Sequence, residues 1–297
     1  MEYLVEHITD YRYSEAVTQS QNQARLRPRE TPWQQCLSHE IELRPASQLL
    51  TEHTDGFGNQ VWEFSLHEPH DRLSIRVCSR VRVDRTQQPL ADLTPAWEDV
   101  AMGLRRSLHT DDLDAVPYVF PTALTPTDDE FAEYAMPSFT PRRPILSAGI
   151  DLMQRVHADF TYDKSATDVS TPTDVAFRSR RGVCQDFAHA MLACLRTLGL
   201  PARYVSGYLL TQPRAGQPRL VGADASHAWV SLYIPTLGWI DLDPTNDVLP
   251  SDQHITLAWG CDYRDVAPLR GIVLGGGQQR VSVGVTVTPF DATSDED

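Results

Sequence analysis

The sequence predicts an α+β protein, with an N-terminal antiparallel β region followed by a core in which a cysteine-bearing helix packs on an antiparallel sheet. Three observations predict it. Short alternating apolar segments broken by turn residues run from Tyr3 to about Val83. One apolar helical stripe begins at Cys184. Two alternating segments, 224–234 and 239–246, flank the turn Pro235-Thr236-Leu237-Gly238. The expected organisation is a β domain over 1–85, a proline-rich connector with short helices over 86–144, a second and larger domain over 145–290, and a frayed acidic tail over 291–297.

In the first region, segments 37–43, 61–66 and 73–83 alternate, with Leu73, Ile75 and Val77 on one parity. Asp55-Gly56-Phe57-Gly58-Asn59 reads as a plain hairpin turn, its glycines free to take positive φ. The connector is broken by Pro89, Pro95, Pro117, Pro121, Pro126, Pro137, Pro141 and Pro144, and is expected to wrap the surface with short helices near 97–108 and 128–135. A helix should follow from Pro144 or Ile145 to about Ala158, with Leu146, Ile150, Met153 and Val156 on one stripe. Near the C-terminus, Gly275-Gly276-Gly277 and the alternation Val281, Val283, Val285, Val287 read as a closing hairpin.

Composition narrows the function classes. Lys+Arg 26 against Asp+Glu 40 gives a net charge of −14, which repels a phosphate backbone or an anionic membrane. Five cysteines without a close-spaced pair disfavour a disulfide framework and a zinc cluster, and fit a reducing compartment. With no basic start leading into an apolar stretch and no apolar run of spanning length, the expectation is a cytoplasmic protein without nucleic-acid or membrane partners.

The segment from Arg181 to Gly199 reads as a helix starting near Cys184 and stopped by Gly199 and Pro201. At about 100° per residue, Phe187, Ala188, Met191, Leu192, Leu195 and Leu198 share the side of Cys184. That thiol therefore faces the protein body while sitting at the positive end of the helix, where thiolate is stabilised. Cys194, in mid-helix, reads as a core residue. His189 falls about 140° from Cys184 and reads as a solvated or hydrogen-bonded surface histidine.

In the paired segments, Ala228, Val230, Leu232 and Ile234 point one way and His227, Trp229, Ser231 and Tyr233 the other. For Asp243 to orient His227, the strands must pair odd-numbered with odd-numbered residues, for example Trp229 opposite Asp243. Ile234 opposite Trp239 would refute that. Asp224 and then Asp241 rank behind Asp243 for the role, and Asp243 before proline is also good turn chemistry.

Gly182-Val183-Cys184-Gln185-Asp186-Phe187-Ala188, Ser226-His227-Ala228-Trp229, and Gly238-Trp239 through Asp243-Pro244-Thr245 resemble the three catalytic blocks of bacterial transglutaminase-like proteins, a branch of the papain-like cysteine enzymes. The N-terminal region, with Arg25-Leu26-Arg27-Pro28-Arg29, resembles the β domain that accompanies this core, so the resemblance covers nearly the whole chain. It implies a transglutaminase/papain-like catalytic core over 145–290, with Cys184 as nucleophile forming a thioester, His227 as base and acid, and Asp243 holding the imidazole. The Cys184 N–H is the natural oxyanion donor and Tyr162 a second candidate, with Gln185, Asp224 and Trp229 as supporting residues. It implies no cofactor or metal, and a peptide or protein substrate. Two departures stand out: Cys261 where an arginine is expected, and no histidine near Gln279. No calcium-loop spacing of carboxylates is present. The thioester could pass to an amine or to water, making the chain an acyltransferase or a peptidase/amidase, and a binding module that has lost turnover is the third reading.

Overall fold

The computed structural model describes residues 1–85, 89–210 and 226–290. Strands β1 (Glu2–Ala24), β2 (Gln34–Arg44), β3 (Leu49–Thr54), β4 (Gln60–Leu66) and β5 (His70–Val83) come first. Helices α1 (Trp97–Leu104), α2 (Thr110–Ala115), α3 (Asp129–Ala135) and α4 (Ile145–Asp159) follow, then β6 (Thr161–Tyr162), α5 (Thr173–Ser179), β7 (Arg181–Gly182) and α6 (Cys184–Thr197). The chain continues through β8 (Ala202–Leu209), β9 (Ser226–Ile234), β10 (Gly238–Leu242), β11 (His254–Gly260), α7 (Tyr263–Val266), β12 (Leu269–Gly275) and β13 (Gln279–Pro289). The α+β class is as expected.

A seven-stranded antiparallel sheet is organised on the long β1, in the order β2-β5-β1-β4-β3, with β12 and β13 also on β1. Leu73, Ile75, Val77, Val81 and Val83 of β5 all face its core, as their parity requires. The C-terminal segments do not form the expected hairpin. Instead β13 pairs with residues 3–13 of β1 and β12 with residues 17–24, so the two follow one another along the same strand. Alternation identified β13 but carries no information about its partner. Gly275, Gly276 and Gly277, all at positive φ, let the chain track the irregularity in β1 around Ser14–Ala16 instead of reversing.

The second sheet, ordered β10-β9-β8-β11, carries α4 and α6 against the even-numbered face of β9. Gly149 of α4 packs directly on Leu232 and Leu242, where an added Cβ would lie 3.0 and 3.3 Å from their methyl groups, a tight fit. Helix α6 is buried on every side, because α3, α4 and α5 enclose the flank that the sheet leaves open. The reading of His189 as a surface residue is corrected as well, because Tyr204 of β8 and Tyr263 of α7 cover its ring. It is buried, its Nε2 accepts the Tyr263 N–H at 3.2 Å, and burial pushes its pKa down to about 3. A helical wheel finds the most apolar face but not whether the opposite face is also covered. The connector likewise lies deeper than expected, with Val100, Ala115, Phe131, Ala135 and Phe139 in the core.

The two sheets meet at β11. Residues 55–59 form the expected turn between β3 and β4, and also dock there: Asn59 Nδ2 donates to the Trp259 carbonyl and Asn59 Oδ1 accepts the Trp259 N–H, both at 2.9 Å. Gln34 does the same at Thr256, donating at 2.8 Å and accepting at 2.7 Å. The guanidinium groups of Arg29 and Arg203 each lie 3.5 Å from the Trp259 ring centre.

Candidate active site

Cys184 is the first residue of α6. The turn before it is fixed by Asp186, whose Oδ2 accepts the Val183 N–H at 2.7 Å and the Thr167 hydroxyl at 2.6 Å. That carboxylate folds back over Gly182, where any Cβ would collide with it. The Gly-Val-Cys-Gln-Asp run is thus one helix-start device that places the thiol. Gly182→Ala is expected to unseat Asp186 and cost about 1–3 kcal/mol, measurable as a lowered denaturation midpoint. The far end closes on Gly199, at φ +75°, with the Leu200 N–H returning to the Leu195 carbonyl.

His227 is the second residue of β9 and Asp243 lies just past the end of β10. The register pairs Tyr233 with Trp239 and Ser231 with Asp241, so odd meets odd and Ile234 faces Gly238. Extended by one step, it brings Asp243 alongside Trp229 and diagonal to His227. Asp243 Oδ2 accepts His227 Nε2–H at 2.7 Å, which leaves Nδ1 for Cys184, the ring's other hydrogen-bonding neighbour. Burial alone would lower the His227 pKa; hydrogen bonds to Asp243 and Cys184 outweigh it and push it up to about 10. Burial would raise the Asp243 pKa, but His227, His254 and Asn246 hold the carboxyl well below its usual range. Asp243 also keeps its role in the turn, with Oδ1 accepting the N–H groups of Thr245 (3.0 Å) and Asn246 (3.2 Å).

The other predicted residues take different places. Asp241 is spent on Arg85 (2.8 Å) and on the Trp229 indole N–H (3.0 Å). Trp229, expected as a supporting residue, is fully buried behind His227, ring centres 6.0 Å apart. Gln185 lines the cleft beside Cys184. Tyr162 is 49% exposed and sits near Cys184 and Phe187, outside the cleft lining. Asp224 lies outside the described residues. At Cys261 the backbone carbonyl accepts Arg196 Nη2 at 2.7 Å, and Gln279 is an exposed first residue of β13.

Sequence reasoning missed three features. His254, at the start of β11, donates Nε2–H to the same Asp243 oxygen at 3.1 Å. Asn246 Nδ2 adds a further donor at 2.8 Å; its place three residues after Asp243 in a turn was the available signal. The third is a wall of the cleft: the space of about 320 Å³ in front of Cys184 and His227 is lined also by Tyr11 of β1 and by Val281 and Val283 of β13, together with Tyr204, Tyr263 and Leu269. No Asp, Glu, Lys or Arg lines it among the described residues. His7, also in this wall, is tied up with Tyr208 (2.8 Å) and Thr9 (2.9 Å), and burial lowers its pKa to about 4.

His227, Asp243 and His254 are the set with metal-ligand spacing among the described residues, their ligand atoms within 4.8 Å of one another. The chemistry of the set favours hydrogen bonding. Asp243 Oδ2 is already shared by three N–H donors, and His254 Nδ1 has no acceptor for the proton that a metal-bound imidazole would place there.

The description "Bacterial transglutaminase-like N-terminal region" matches residues 3–82, and "Transglutaminase-like superfamily" matches residues 139–244. An uncharacterized protein of Mycobacterium tuberculosis is 41% identical over 300 residues, covering 97% of this chain and 93% of the relative. Another, from Mycobacterium leprae, is 34% identical over 287 residues, covering 96% and 97%. The protein-glutamine gamma-glutamyltransferase of Pseudomonas aeruginosa is 38% identical over 126 residues, 40% of this chain and 19% of that protein. In structure, the chain is similar to a provisionally assigned cysteine protease from Cytophaga hutchinsonii, with TM-score 0.76 and 20% identity over 98% of this chain and 91% of that one, a likeness of fold.

Proposed function

Because the chain belongs to the bacterial branch of the transglutaminase-like superfamily, whose chemistry is cysteine-based, we propose that it transfers acyl groups from carboxamides through Cys184. The Cys184 thiol gives its proton to His227 Nδ1 and its sulfur attacks the carbonyl carbon, with the developing oxyanion facing the Cys184 N–H at the helix start. The C–N bond breaks, and His227 gives its Nδ1 proton to the leaving amine or ammonia. An acceptor then attacks the thioester, the C–S bond breaks, and His227 takes the acceptor's proton. Asp243 holds the imidazole throughout.

The observation that carries this reading is the buried 2.7 Å bond between His227 and Asp243, with Cys184 on the ring's other side in an open cleft. A lining that holds no Asp, Glu, Lys or Arg among the described residues suits a neutral carboxamide, as does the likeness of part of the chain to a protein-glutamine gamma-glutamyltransferase. Incubation with dimethylcasein and dansylcadaverine tests it. Fluorescent casein with ammonia release, abolished by Cys184→Ala, is expected. Ammonia without amine incorporation would mean hydrolysis. Neither product, and no difference between wild type and Cys184→Ala, would leave a binding module.

A further inference from the structure

We propose that His254 is a second positioning histidine, which acts through Asp243 to hold the His227 ring toward Cys184. The inference rests on the acyl-transfer reading of that site. The Asp243 carboxylate is fully buried. Its Oδ1 is fixed by two backbone N–H groups, but these belong to its own turn and leave the far oxygen free to choose partners. Oδ2 receives three side-chain donors, from His227 at 2.7 Å, Asn246 at 2.8 Å and His254 at 3.1 Å. Of these, only His254 comes from β11, at the opposite edge of the sheet from β10.

His254 is brought there by a specific packing arrangement. Gly207 of β8 pairs with His227, and any Cβ on it would collide with the Trp229 indole and the Ile255 carbonyl. The bare backbone lets the indole lie across β8, and the His254 ring meets it edge-on, centres 5.3 Å apart at 85°. The indole is itself held by its N–H bond to Asp241. The His254 ring is therefore a rigid donor. Its Nδ1 is buried without a partner, so a proton there would be an orphaned donor, whereas on Nε2 it meets the carboxylate. With a rigid N–H on each side of Oδ2, the carboxylate cannot rotate without breaking one of them. That keeps the His227 Nε2 proton, and with it the direction of Nδ1, fixed through the catalytic cycle.

The test compares His254→Phe, which keeps a flat ring but has no donor, with His254→Gln, whose amide can restore an N–H. Two readouts are taken: kcat and KM for dansylcadaverine incorporation, and the rate of Cys184 alkylation by iodoacetamide followed by peptide mass spectrometry. Denaturation midpoints check folding. For His254→Phe, a loss in kcat of roughly 10²-fold is expected, the scale of a misplaced catalytic group, with KM within about twofold and Cys184 alkylation slowed in parallel. His254→Gln should recover at least a tenth of wild-type kcat. Wild-type kcat in His254→Phe would overturn the inference, as would equal losses in both variants with KM rising alongside. A wild-type Cys184 no more reactive than Cys194 would instead overturn the acyl-transfer reading beneath it.

Discussion

Replacing Asp243 with asparagine should lower kcat for amine incorporation by about 10⁴-fold, the penalty when a triad histidine loses its carboxylate. The geometry makes the variant severe. Oδ1 faces two N–H donors and Oδ2 faces three. An amide –NH₂ must occupy one position or the other, so donors meet donors whichever way it turns. The Asn246 and His254 donors stay in place, and His227 is driven to the tautomer with its proton on Nδ1, unable to accept from the thiol. Steady-state kinetics of Asp243→Asn against wild type checks this, and a loss under about tenfold would remove Asp243 from the mechanism.

The same pair dictates a pH signature. His227 is raised from its ordinary 6.5 to about 10, so its contribution to stability is complete below 6.5 and is lost as pH rises through 10. Asp243 is depressed below its ordinary 3.8, so its contribution is complete above 3.8 and is lost as pH falls. The stability difference between wild type and Asp243→Asn should therefore be greatest and flat between about pH 4 and 6.5, narrowing on both sides. Urea denaturation at a series of pH values measures it. A difference still growing above pH 8 would contradict the raised His227.

The second large effect is selective modification. At neutral pH, iodoacetamide should label Cys184 at least about tenfold faster than any other cysteine, since reactivity follows thiolate character and access. Burial pushes Cys194 up to about 12 and raises Cys36, Cys78 and Cys261 as well. Cys184 alone lines the cleft with a histidine bonded to an anion beside it. His227→Ala should erase the advantage. Labelling spread evenly over Cys36, Cys78, Cys184 and Cys261 would argue against an activated nucleophile.

What the sequence disclosed, and what it withheld, follows from the range of each interaction. The start of α6 was legible because its determinants, Gly182 through Asp186, are contiguous. The parity linking His227 to Asp243 was legible because a short turn leaves few registers open. The burial of His189 was not, since it depends on Tyr204 of β8 and Tyr263 of α7, from later parts of the chain. Nor was the pairing of β12 and β13 with β1, across some 250 intervening residues. His254 was hidden for the same reason: its approach depends on an absent side chain at Gly207 on a neighbouring strand.

The carboxamides of Gln34 and Asn59 have a consequence for what the molecule can associate with. Each offers one N–H and one carbonyl to β11, as a peptide bond of an adjoining strand would, and together they occupy the outward-facing backbone groups of Thr256 and Trp259. An extended polypeptide, whether substrate or a neighbouring molecule, finds the Thr256 and Trp259 rungs of that border already taken. The protein thereby hinders strand-by-strand accretion along β11 with two side chains and the Arg29 N–H, which also donates to the Thr256 carbonyl, without building another strand to cover it.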